Sequence, residues 1–388
     1  MTREIRVLMV VERLHGLGGA QKQALRLAQA LRGVGVAARI VTGRWRYSEP
    51  RRALVDEIPV TAVFTAFKMW HLKGLRKFGM YIYLASLLLY LWRHRRSYDV
   101  IHVHSATISA FAVALAGRWF KKPTVMKVMA SGGWSDFRRM QQGRGLPGSA
   151  RMTRSFRHVH RVICLNAEAE AECKAQGFTD EQRVLIPNGF PVGEVAARAE
   201  YGERDVTEVA FVGRLDAQKN PGTLLAAMAK IATSPGGEKV RVQFLGEGEE
   251  RGELQRRTRE SGVEDRVSFQ GRVEDVASYL SRSDIFALPS LSEGISNALL
   301  EAMAHGIPCI VTRIPGNTDL VTDRKTGLLV EPHDAEDLAR AILELAGDPG
   351  LREKLGRAGR AFVEEHFDID RVAARYAELY RELVEQCE

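Results

Sequence analysis

Cysteine is scarce in this sequence, and no apolar run is long enough to span a bilayer. Four cysteines in 388 residues show neither Cys-x-x-Cys nor Cys/His ligand spacing, which argues against a zinc module or a disulfide scaffold. Short repeats, low-complexity tracts and a signal-peptide pattern are also missing. We therefore expect a cytoplasmic globular protein with reduced thiols.

Acidic residues are under-represented in the first half of the chain. Residues 1–200 carry a net charge of +18 and residues 201–388 carry −10, within a total of +8. This asymmetry predicts an anionic partner for the first half, either phospholipid or nucleic acid. Because the sequence has no RNA-recognition, helix-turn-helix or zinc signature, we expect no nucleic-acid partner.

The length of the chain and its alternating patterns predict two α/β domains. Apolar strand patterns alternate with helical patterns in both halves, which is typical of parallel sheets covered by helices on both faces. The polar stretch 193–207 is the predicted linker. We expect an N-terminal doubly wound domain over residues 1–195, to which a helix over about 367–388 returns. A second doubly wound domain over residues 196–366 would share one cleft with it.

One apolar segment stands apart from these patterns. Met80–Trp92 is too short to cross a bilayer, which needs about 20 residues. Aromatic ends with basic flanks predict a helix lying in a membrane interface. The alternative is a buried helix with solvated basic ends. The flanking basic residues are Lys73, Arg76, Lys77, Arg93, His94, Arg95 and Arg96.

Two glutamates eight positions apart are the most informative feature of the second half. Glu293 lies in a Ser/Gly loop after an apolar strand pattern, and Glu301 lies in the helical pattern that follows. This arrangement lets both carboxylates face the crevice at the carboxyl end of a parallel sheet, where such sheets bind ligands. Ionised carboxylates accept hydrogen bonds from vicinal hydroxyls, such as those of sugars.

A glycine-containing loop follows the first strand pattern in each half. Gly18 and Gly19 precede a helix, where backbone N–H groups can approach a phosphate or another close ligand. Their spacing does not fit a dinucleotide-binding loop. In the second half, Gly213 is followed by Arg214 and Lys219, five positions apart. Two such cations can clamp a diphosphate without a metal.

Four motifs in this order resemble those of the family 4 retaining glycosyltransferases of the GT-B fold, the bacterial polysaccharide and lipid-linked glycan type. They are Ile186-Pro-Asn-Gly189, Gly213-Arg-Leu-x-x-x-Lys-Asn220, Leu245-Gly-Glu-Gly248 and Glu293-x7-Glu301-Ala-Met-Ala. The resemblance implies two Rossmann-like domains that close over the reacting bond. The nucleotide-sugar donor would lie on the C-terminal domain and the acceptor on the N-terminal domain.

The resemblance also implies roles for individual residues. Arg214 and Lys219 would bind the donor diphosphate, Glu301 the ribose hydroxyls, and Glu293 the donor hexose. Arg214, Lys219 and Glu293 are also catalytic candidates, because cations stabilise the charge that develops on the leaving diphosphate. The remaining donor contacts would come from the backbone or from beside the base: Gly18, Gly19, Val273, Gly294, Ile295 and Ser296.

Histidines end the strand pattern Asp99–His104. The family often has His-x-His here, so the resemblance makes His104 a catalytic candidate in the cleft. The strand period of two places His102 on the same face, where a core position is the alternative. Met129 stands about where many members carry a sugar-contacting histidine. We expect Ser131, or the adjacent backbone of residues 132–133, to replace it.

The segment 134–148 that follows is long, glycine-rich and basic, which is typical of functional or disordered loops. We expect Arg138 and Arg139 to bind an anionic acceptor, such as a lipid-linked diphosphate sugar. Asp368 and Asp370 belong to the C-terminal helical region and are predicted to start a helix, so no Asp-x-Asp pair is placed for a metal. Neither a metal nor another cofactor is expected.

The sequence thus predicts a retaining transferase that moves a hexose from a UDP- or GDP-sugar to an acceptor hydroxyl. We expect the acceptor to be a lipid-linked glycan and the enzyme to be peripheral on the inner face of the cytoplasmic membrane, where anionic lipid is a further partner. A soluble transferase with a small acceptor is the main alternative. An epimerase of the same fold would not require the pair Glu293 and Glu301.

Overall fold

The computed structural model describes residues 4–14, 18–65, 76–142 and 148–387, except for the side chains of residues 76 and 77. The chain divides into two compact units. Unit 1 comprises Met1–Gly189 and Ile369–Glu388, and unit 2 comprises Phe190–Asp368. Lys73, predicted to flank the apolar segment, lies outside the described residues, as do residues 143–147 of the expected acceptor loop.

Strands and helices alternate along the described chain. The strands are β1 Ile5–Val11, β2 Val36–Arg44, β3 Arg52–Val55, β4 Ile58–Phe64, β5 Val100–Val103, β6 Thr124–Lys127, β7 Arg161–Cys164, β8 Arg183–Leu185, β9 Thr207–Val212, β10 Val240–Leu245, β11 Val267–Gly271, β12 Ile285–Leu288, β13 Cys309–Thr312 and β14 Leu328–Val330. The α-helices are α1 Gly19–Gly33, α2 Arg76–Arg93, α3 Ile108–Phe120, α4 Asp136–Gln141, α5 Ser149–Met152, α6 Ala167–Ala175, α7 Pro221–Ile231, α8 Arg251–Glu260, α9 Val276–Leu280, α10 Asn297–Ala304, α11 Ala335–Gly347, α12 Pro349–His366 and α13 Ile369–Cys387.

Unit 1 is built on an eight-stranded sheet in the order β3-β4-β2-β1-β5-β6-β7-β8. Its neighbouring strands pair in parallel, except for the antiparallel hairpin of β3 and β4. Because β1 pairs with β2 on one side and with β5 on the other, the strand order reverses there. The loops that follow β1 and β5 therefore meet at the edge of the sheet where open α/β folds bind ligands.

Helices cover both faces of the unit 1 sheet. One apolar core lies between the sheet and the helices α2 and α3. The other lies between the sheet and the helices α1 and α13, so the C-terminal helix completes the first unit. Helix α13 begins at Ile369, and Asp370 lies in its first turn, where an acidic side chain interacts favourably with the helix dipole.

Unit 2 is built on a six-stranded parallel sheet in the order β11-β10-β9-β12-β13-β14. This is the doubly wound order of a Rossmann fold, with the reversal between β9 and β12. The expected linker, residues 193–207, belongs to this unit and is anchored to it by Tyr201 and Arg198. Tyr201 within it is 6% exposed, and the Arg198 guanidinium pairs with the buried Asp284 carboxylate at 2.5 Å.

The alternation of strands and helices confirms the predicted α/β class and its two doubly wound sheets. Strand β3 is absent from the sequence-based prediction. Its hairpin turns at Asp56 and Glu57, which both have positive φ angles, of 47° and 64°. Glycine or asparagine usually marks a two-residue turn of this kind, so the sequence gives no signal here.

Candidate functional site

The loops after β9 and β12 carry oppositely charged side chains at the strand reversal of unit 2. Nζ of Lys219, from the first loop, lies 2.5 Å from Oε1 of Glu293, from the second. The side chains are only 15% and 7% exposed. Because desolvation offsets most of the attraction in a buried ion pair, this pair fixes the geometry of the two loops more than it adds stability.

Local hydrogen bonds shape the loop that carries Lys219. The Asp216 carboxylate accepts from the backbone N–H of Lys219 at 3.1 Å. Asn220 has a φ of 49°, and its amide donates to the Pro289 carbonyl at 3.3 Å. Pro221 is the first residue of α7, where its fixed φ is suited to a helix start and no N–H is required. Because of these contacts, the loop ends and α7 begins directly after Lys219 and Asn220.

Gln218 joins the two loops. Its side-chain amide donates to the Ser292 carbonyl at 3.0 Å, and its backbone carbonyl accepts from the Leu291 backbone N–H at 2.8 Å. The position of Glu293 relative to Lys219 is thus set by backbone contacts as well as by the ion pair. Sequence patterns gave no indication of this role.

Arg214 is the exposed cation of this site. Its guanidinium forms an ion pair with the Asp216 carboxylate and donates to the Gln218 side-chain carbonyl at 2.8 Å. The side chain is 63% exposed. It therefore has room to exchange these surface contacts for a phosphate, to which a guanidinium binds in bidentate fashion.

Two glycines allow further loops to approach the backbone near Lys219 and Glu293. A Cβ on Gly316, whose φ is +84°, would lie 2.4 Å from the Gly294 carbonyl oxygen and 2.5 Å from that of Glu293. A Cβ on Gly246 would lie 1.8 Å from the Gly213 carbonyl oxygen. Only glycine permits both approaches. Gly246 belongs to a motif found in the sequence, whereas Gly316 does not.

Helix α10 begins just after Glu293. The Ser296 hydroxyl accepts from the Leu299 backbone N–H at 3.4 Å and caps the helix. Glu301 lies in the second turn of α10 and is half-buried. Val273, the residue predicted to lie beside the base, is also half-buried and follows β11. Of the residues that precede the helix, Gly294 is half-buried and Ile295 is buried.

The glycines predicted as ligand contacts in unit 1 lie at the start of α1. Gly18 and Gly19 are exposed, and the Gly18 N–H donates to the Gln21 side-chain oxygen at 3.1 Å. The Gln21 side chain therefore occupies a backbone N–H at the start of α1, and an anionic ligand that binds there would displace it.

The predicted histidine candidate is buried beside a lysine. His104 is 6% exposed, and its ring lies 4.1 Å from that of His102. Nδ1 of His102 is 2.7 Å from the Tyr380 hydroxyl. Burial, together with Lys127, lowers the pKa of His104 to about 3. Burial also lowers the pKa of Lys127 to about 7. His104 is therefore neutral at physiological pH and is suited to hydrogen bonding.

The expected acceptor residues lie after β6. The hydroxyl of the buried Ser131 donates to the Glu168 carboxylate at 2.6 Å. Arg138 and Arg139 are both exposed on α4. Asp136 precedes them, and its buried carboxylate accepts from the Met129 backbone N–H at 3.0 Å. Asp136 anchors this segment, although it belongs to none of the sequence motifs.

The described residues contain neither a metal-binding cluster nor a membrane-spanning helix. No group of three or more His, Cys, Asp or Glu side chains there is arranged to hold a metal ion. No helix in that part of the chain is both long and apolar enough to span a membrane.

Two family models match the two halves of the chain. The glycosyl transferase 4-like domain matches residues 18–189, and glycosyl transferases group 1 matches residues 196–362. The second match contains the loops of Lys219 and Glu293. The chain belongs to the family 4 glycosyltransferases of the GT-B fold.

Two relatives of this glycosyltransferase are bacterial proteins named for lipopolysaccharide core biosynthesis and for galactosyl transfer. It is 32% identical over 227 residues to a lipopolysaccharide core biosynthesis glycosyltransferase, LpsE, of Rhizobium meliloti, covering 58% of the chain and 65% of that relative. It is 26% identical over 313 residues to an Escherichia coli UDP-Gal:alpha-D-GlcNAc-diphosphoundecaprenol alpha-1,3-galactosyltransferase, covering 76% and 78%. The match thus spans just under two thirds of the first relative.

Solved structures agree with the fold of the glycosyltransferase. A sucrose-phosphate synthase from Thermosynechococcus elongatus has a TM-score of 0.83 at 22% identity, over 98% of this chain and 100% of that one. This likeness confirms the predicted GT-B fold.

Proposed function

We propose that this glycosyltransferase moves a hexose from a nucleoside-diphosphate sugar to a hydroxyl of a lipid-linked glycan at the cytoplasmic membrane face, with retention of the anomeric configuration. The observation that carries the proposal is the pair of Lys219 and Glu293 at the strand reversal of unit 2. It offers one cation and one hydrogen-bond acceptor side by side, as a sugar bound to a phosphate requires.

The donor diphosphate binds to Arg214 and Lys219. Arg214 is exposed and contacts only polar side chains of its own loop in the hydrogen bonds and ion pairs described above. Lys219 is nearly buried and already has a fixed direction. Negative charge grows on the leaving diphosphate in the transition state, and prearranged cations stabilise that charge. The proposed reaction therefore requires neither a metal ion nor another cofactor.

The hydroxyl groups of the donor bind to the two glutamates. Glu293, beside Lys219, contacts the hexose, and Glu301, in the second turn of α10, holds the ribose. The backbone of Gly294, Ile295 and Ser296 approaches the sugar and the phosphate at the start of α10, where N–H groups and the helix dipole favour an anion. Val273 lies beside the base.

The acceptor binds to unit 1. His104 is neutral and offers a hydrogen bond to the reacting sugar from the end of β5. Ser131 contributes a hydroxyl, and the exposed Arg138 and Arg139 bind an acidic acceptor. The name of the E. coli relative, which specifies a UDP-sugar donor and a diphosphoundecaprenol acceptor, supports this choice of substrates.

Donor binding and product stereochemistry test this proposal. Purified protein is screened by thermal shift and by hydrolysis of UDP- and GDP-sugars, without acceptor and with EDTA present. We expect one sugar nucleotide to raise the melting temperature, and the Glu293→Gln variant to lose that response. An intact protein that responds to none of the donors contradicts the transferase assignment. NMR of the anomeric proton in the product then tests retention, and a requirement for added metal contradicts the metal-free scheme.

A further inference from the structure

Helix α2 presents apolar side chains on two opposite faces. On one face, Tyr83, Leu87 and Leu91 are fully buried in the core between the sheet and α3. These residues recur at the three- and four-residue steps of a single helical face. The buried half of the predicted apolar segment is therefore ordinary core, as one of the two interpretations of the sequence predicts.

The opposite face of the helix is apolar and exposed. Phe78 is 57% exposed, Tyr81 37%, Leu89 60% and Trp92 49%, and Ala85 between them is also exposed. Steps of three and four residues align these five side chains along a length of about 20 Å. We call this set the α2 stripe. An ordinary solvated helix carries polar residues on the face away from the core.

Basic side chains close the C-terminal end of the α2 stripe. Arg93 and Arg96 are exposed, and neither forms an ion pair with a carboxylate in the described part of the chain. The guanidinium of Arg95 lies over the Trp92 ring, 5.5 Å from its centroid. An aromatic ring between aliphatic side chains and arginines is the arrangement of a membrane–water interface.

The charge of the first half identifies the occupant of this surface. Residues 1–200 carry a net charge of +18. A second copy of the same unit would bring like charges together, whereas a bilayer with anionic headgroups attracts them. A helix that lies flat in the interface needs one apolar face and a basic border, and it does not need the length of a membrane span.

We propose that the α2 stripe is a membrane-docking surface for anionic phospholipid. Leu89 and Trp92 insert at the level of the headgroups, and Arg93 and Arg96 contact lipid phosphates. The inference adds a partner surface to the proposed function, which places the reaction at a membrane. Docking requires no donor, so a failure of docking and a failure of glycosyl transfer are separate results.

Vesicle co-sedimentation of the full chain tests the proposal. The probes are vesicles of phosphatidylcholine and vesicles of an equimolar mixture with phosphatidylglycerol. We expect the protein to bind the mixed vesicles and to dissociate at high salt, because surface charges are then screened. Leu89→Ser/Trp92→Ser and Arg93→Glu/Arg96→Glu should each weaken partition on the order of tenfold or more.

Matched variants distinguish binding through the α2 stripe from nonspecific binding through other exposed apolar or basic side chains. Leu185→Ser/Val206→Ser changes two exposed apolar side chains on β8 and in unit 2, and Arg259→Glu/Lys354→Glu changes two exposed cations of unit 2. Both controls should partition like the natural sequence, and all variants should keep its melting temperature and donor response.

Three outcomes overturn the inference. The first is equal partition of the stripe variants and the controls, and the second is no vesicle binding at all. The third is a dimer in light scattering that Leu89→Ser/Trp92→Ser converts to a monomer while vesicle binding is unchanged, which would assign the stripe to a second copy of the chain.

Discussion

Lys219 and Glu293 are 74 positions apart in the chain, yet their charged groups lie 2.5 Å from each other in unit 2. Strand topology brings them together, since β9 and β12 are neighbours in the sheet and their loops leave at the same edge. Gln218 hydrogen-bonds one loop to the other, and the backbone of Gly316 lies close to residues 293 and 294. A cation and a hydrogen-bond acceptor held side by side in this way support the proposed binding of a sugar phosphate.

Removing the Lys219 cation should lower both the free energy of unfolding and the affinity for the donor. Lys219→Met leaves the Glu293 carboxylate, whose side chain is 7% exposed, without a charged partner. Breaking one half of such a pair costs about 3 kcal/mol. We expect urea unfolding to show this loss and calorimetry to show weaker donor binding.

The double variant separates these two effects. Lys219→Met/Glu293→Gln has no uncompensated charge, so its free energy of unfolding should return to within about 1 kcal/mol of the natural value. Donor affinity should stay low. If affinity also returns, Lys219 holds the loops together and does not bind phosphate.

Substitution of Arg214 should weaken donor binding and leave the stability of the protein nearly unchanged. Its side chain is 63% exposed and its ion pair lies at the surface, so Arg214→Gln should change the free energy of unfolding by less than about 0.5 kcal/mol. The donor KM should nevertheless rise about tenfold or more, because a charge-assisted phosphate contact is lost. Steady-state kinetics and urea unfolding measure the two quantities.

Arg324 provides the matched control for that change. It is also 63% exposed and also forms a surface ion pair, with Glu344. Arg324→Gln should leave both stability and donor KM unchanged. Equal donor KM values for the two variants would remove Arg214 from the donor site.

Gly316→Ala should displace the loop that carries Glu293. Its φ of +84° already disfavours alanine, and the added Cβ would lie 2.5 Å or less from two carbonyl oxygens of residues 293 and 294. Gly236→Ala is the control, because Gly236 has a φ of +80° with open space around its Cβ position. The control should cost about 1 kcal/mol from backbone strain alone.

The difference between these alanine variants isolates the effect of the clash. We expect Gly316→Ala to bind the donor at least tenfold more weakly than Gly236→Ala, whose site is untouched. Equal donor affinities in calorimetry would show that the loop accommodates the methyl group, and that Gly316 is required only for its backbone conformation.

The sequence predicts the fold well because strand and helix periodicity and the positions of loop glycines are local signals. It misses β3, since Asp56 and Glu57 do not mark a turn by residue type. It also treats residues 193–207 as a linker, although Tyr201 and Arg198 pack into unit 2. The polar composition of this stretch cannot reveal that Arg198 forms an ion pair with Asp284, which is distant in the sequence.

The site is predicted in part. Motif residues such as Arg214, Lys219 and Glu293 follow from local patterns, and the structure brings the last two together. Gln218 and Gly316 are not predicted, because their roles depend on which loops the sheet topology brings into contact. The same limit applies to Lys127, which a sequence pattern places in a strand but cannot place beside two histidines.

Lys127 should make the stability of the chain depend on pH in the basic range. Burial lowers its pKa to about 7 from the ordinary value of 10.5, so the folded state binds fewer protons than the unfolded state between these values. Stability contributed by this group therefore rises as pH increases from about 7 towards 10.5. Burial keeps the pKa of His102 and His104 well below their ordinary value, so neither contributes in this window.

Lys127→Met removes the buried amine and should remove this slope. We expect the variant to be more stable than the natural sequence at pH 6 to 7 and the difference to shrink by pH 9.5, in urea unfolding at a series of pH values. The raised pKa values of Tyr376 and Tyr380 affect both proteins alike and cancel in the comparison. The exposed Lys354→Met control shows whether the slope belongs to Lys127. A difference that is constant over this range would mean that the Lys127 amine is solvated in the folded state.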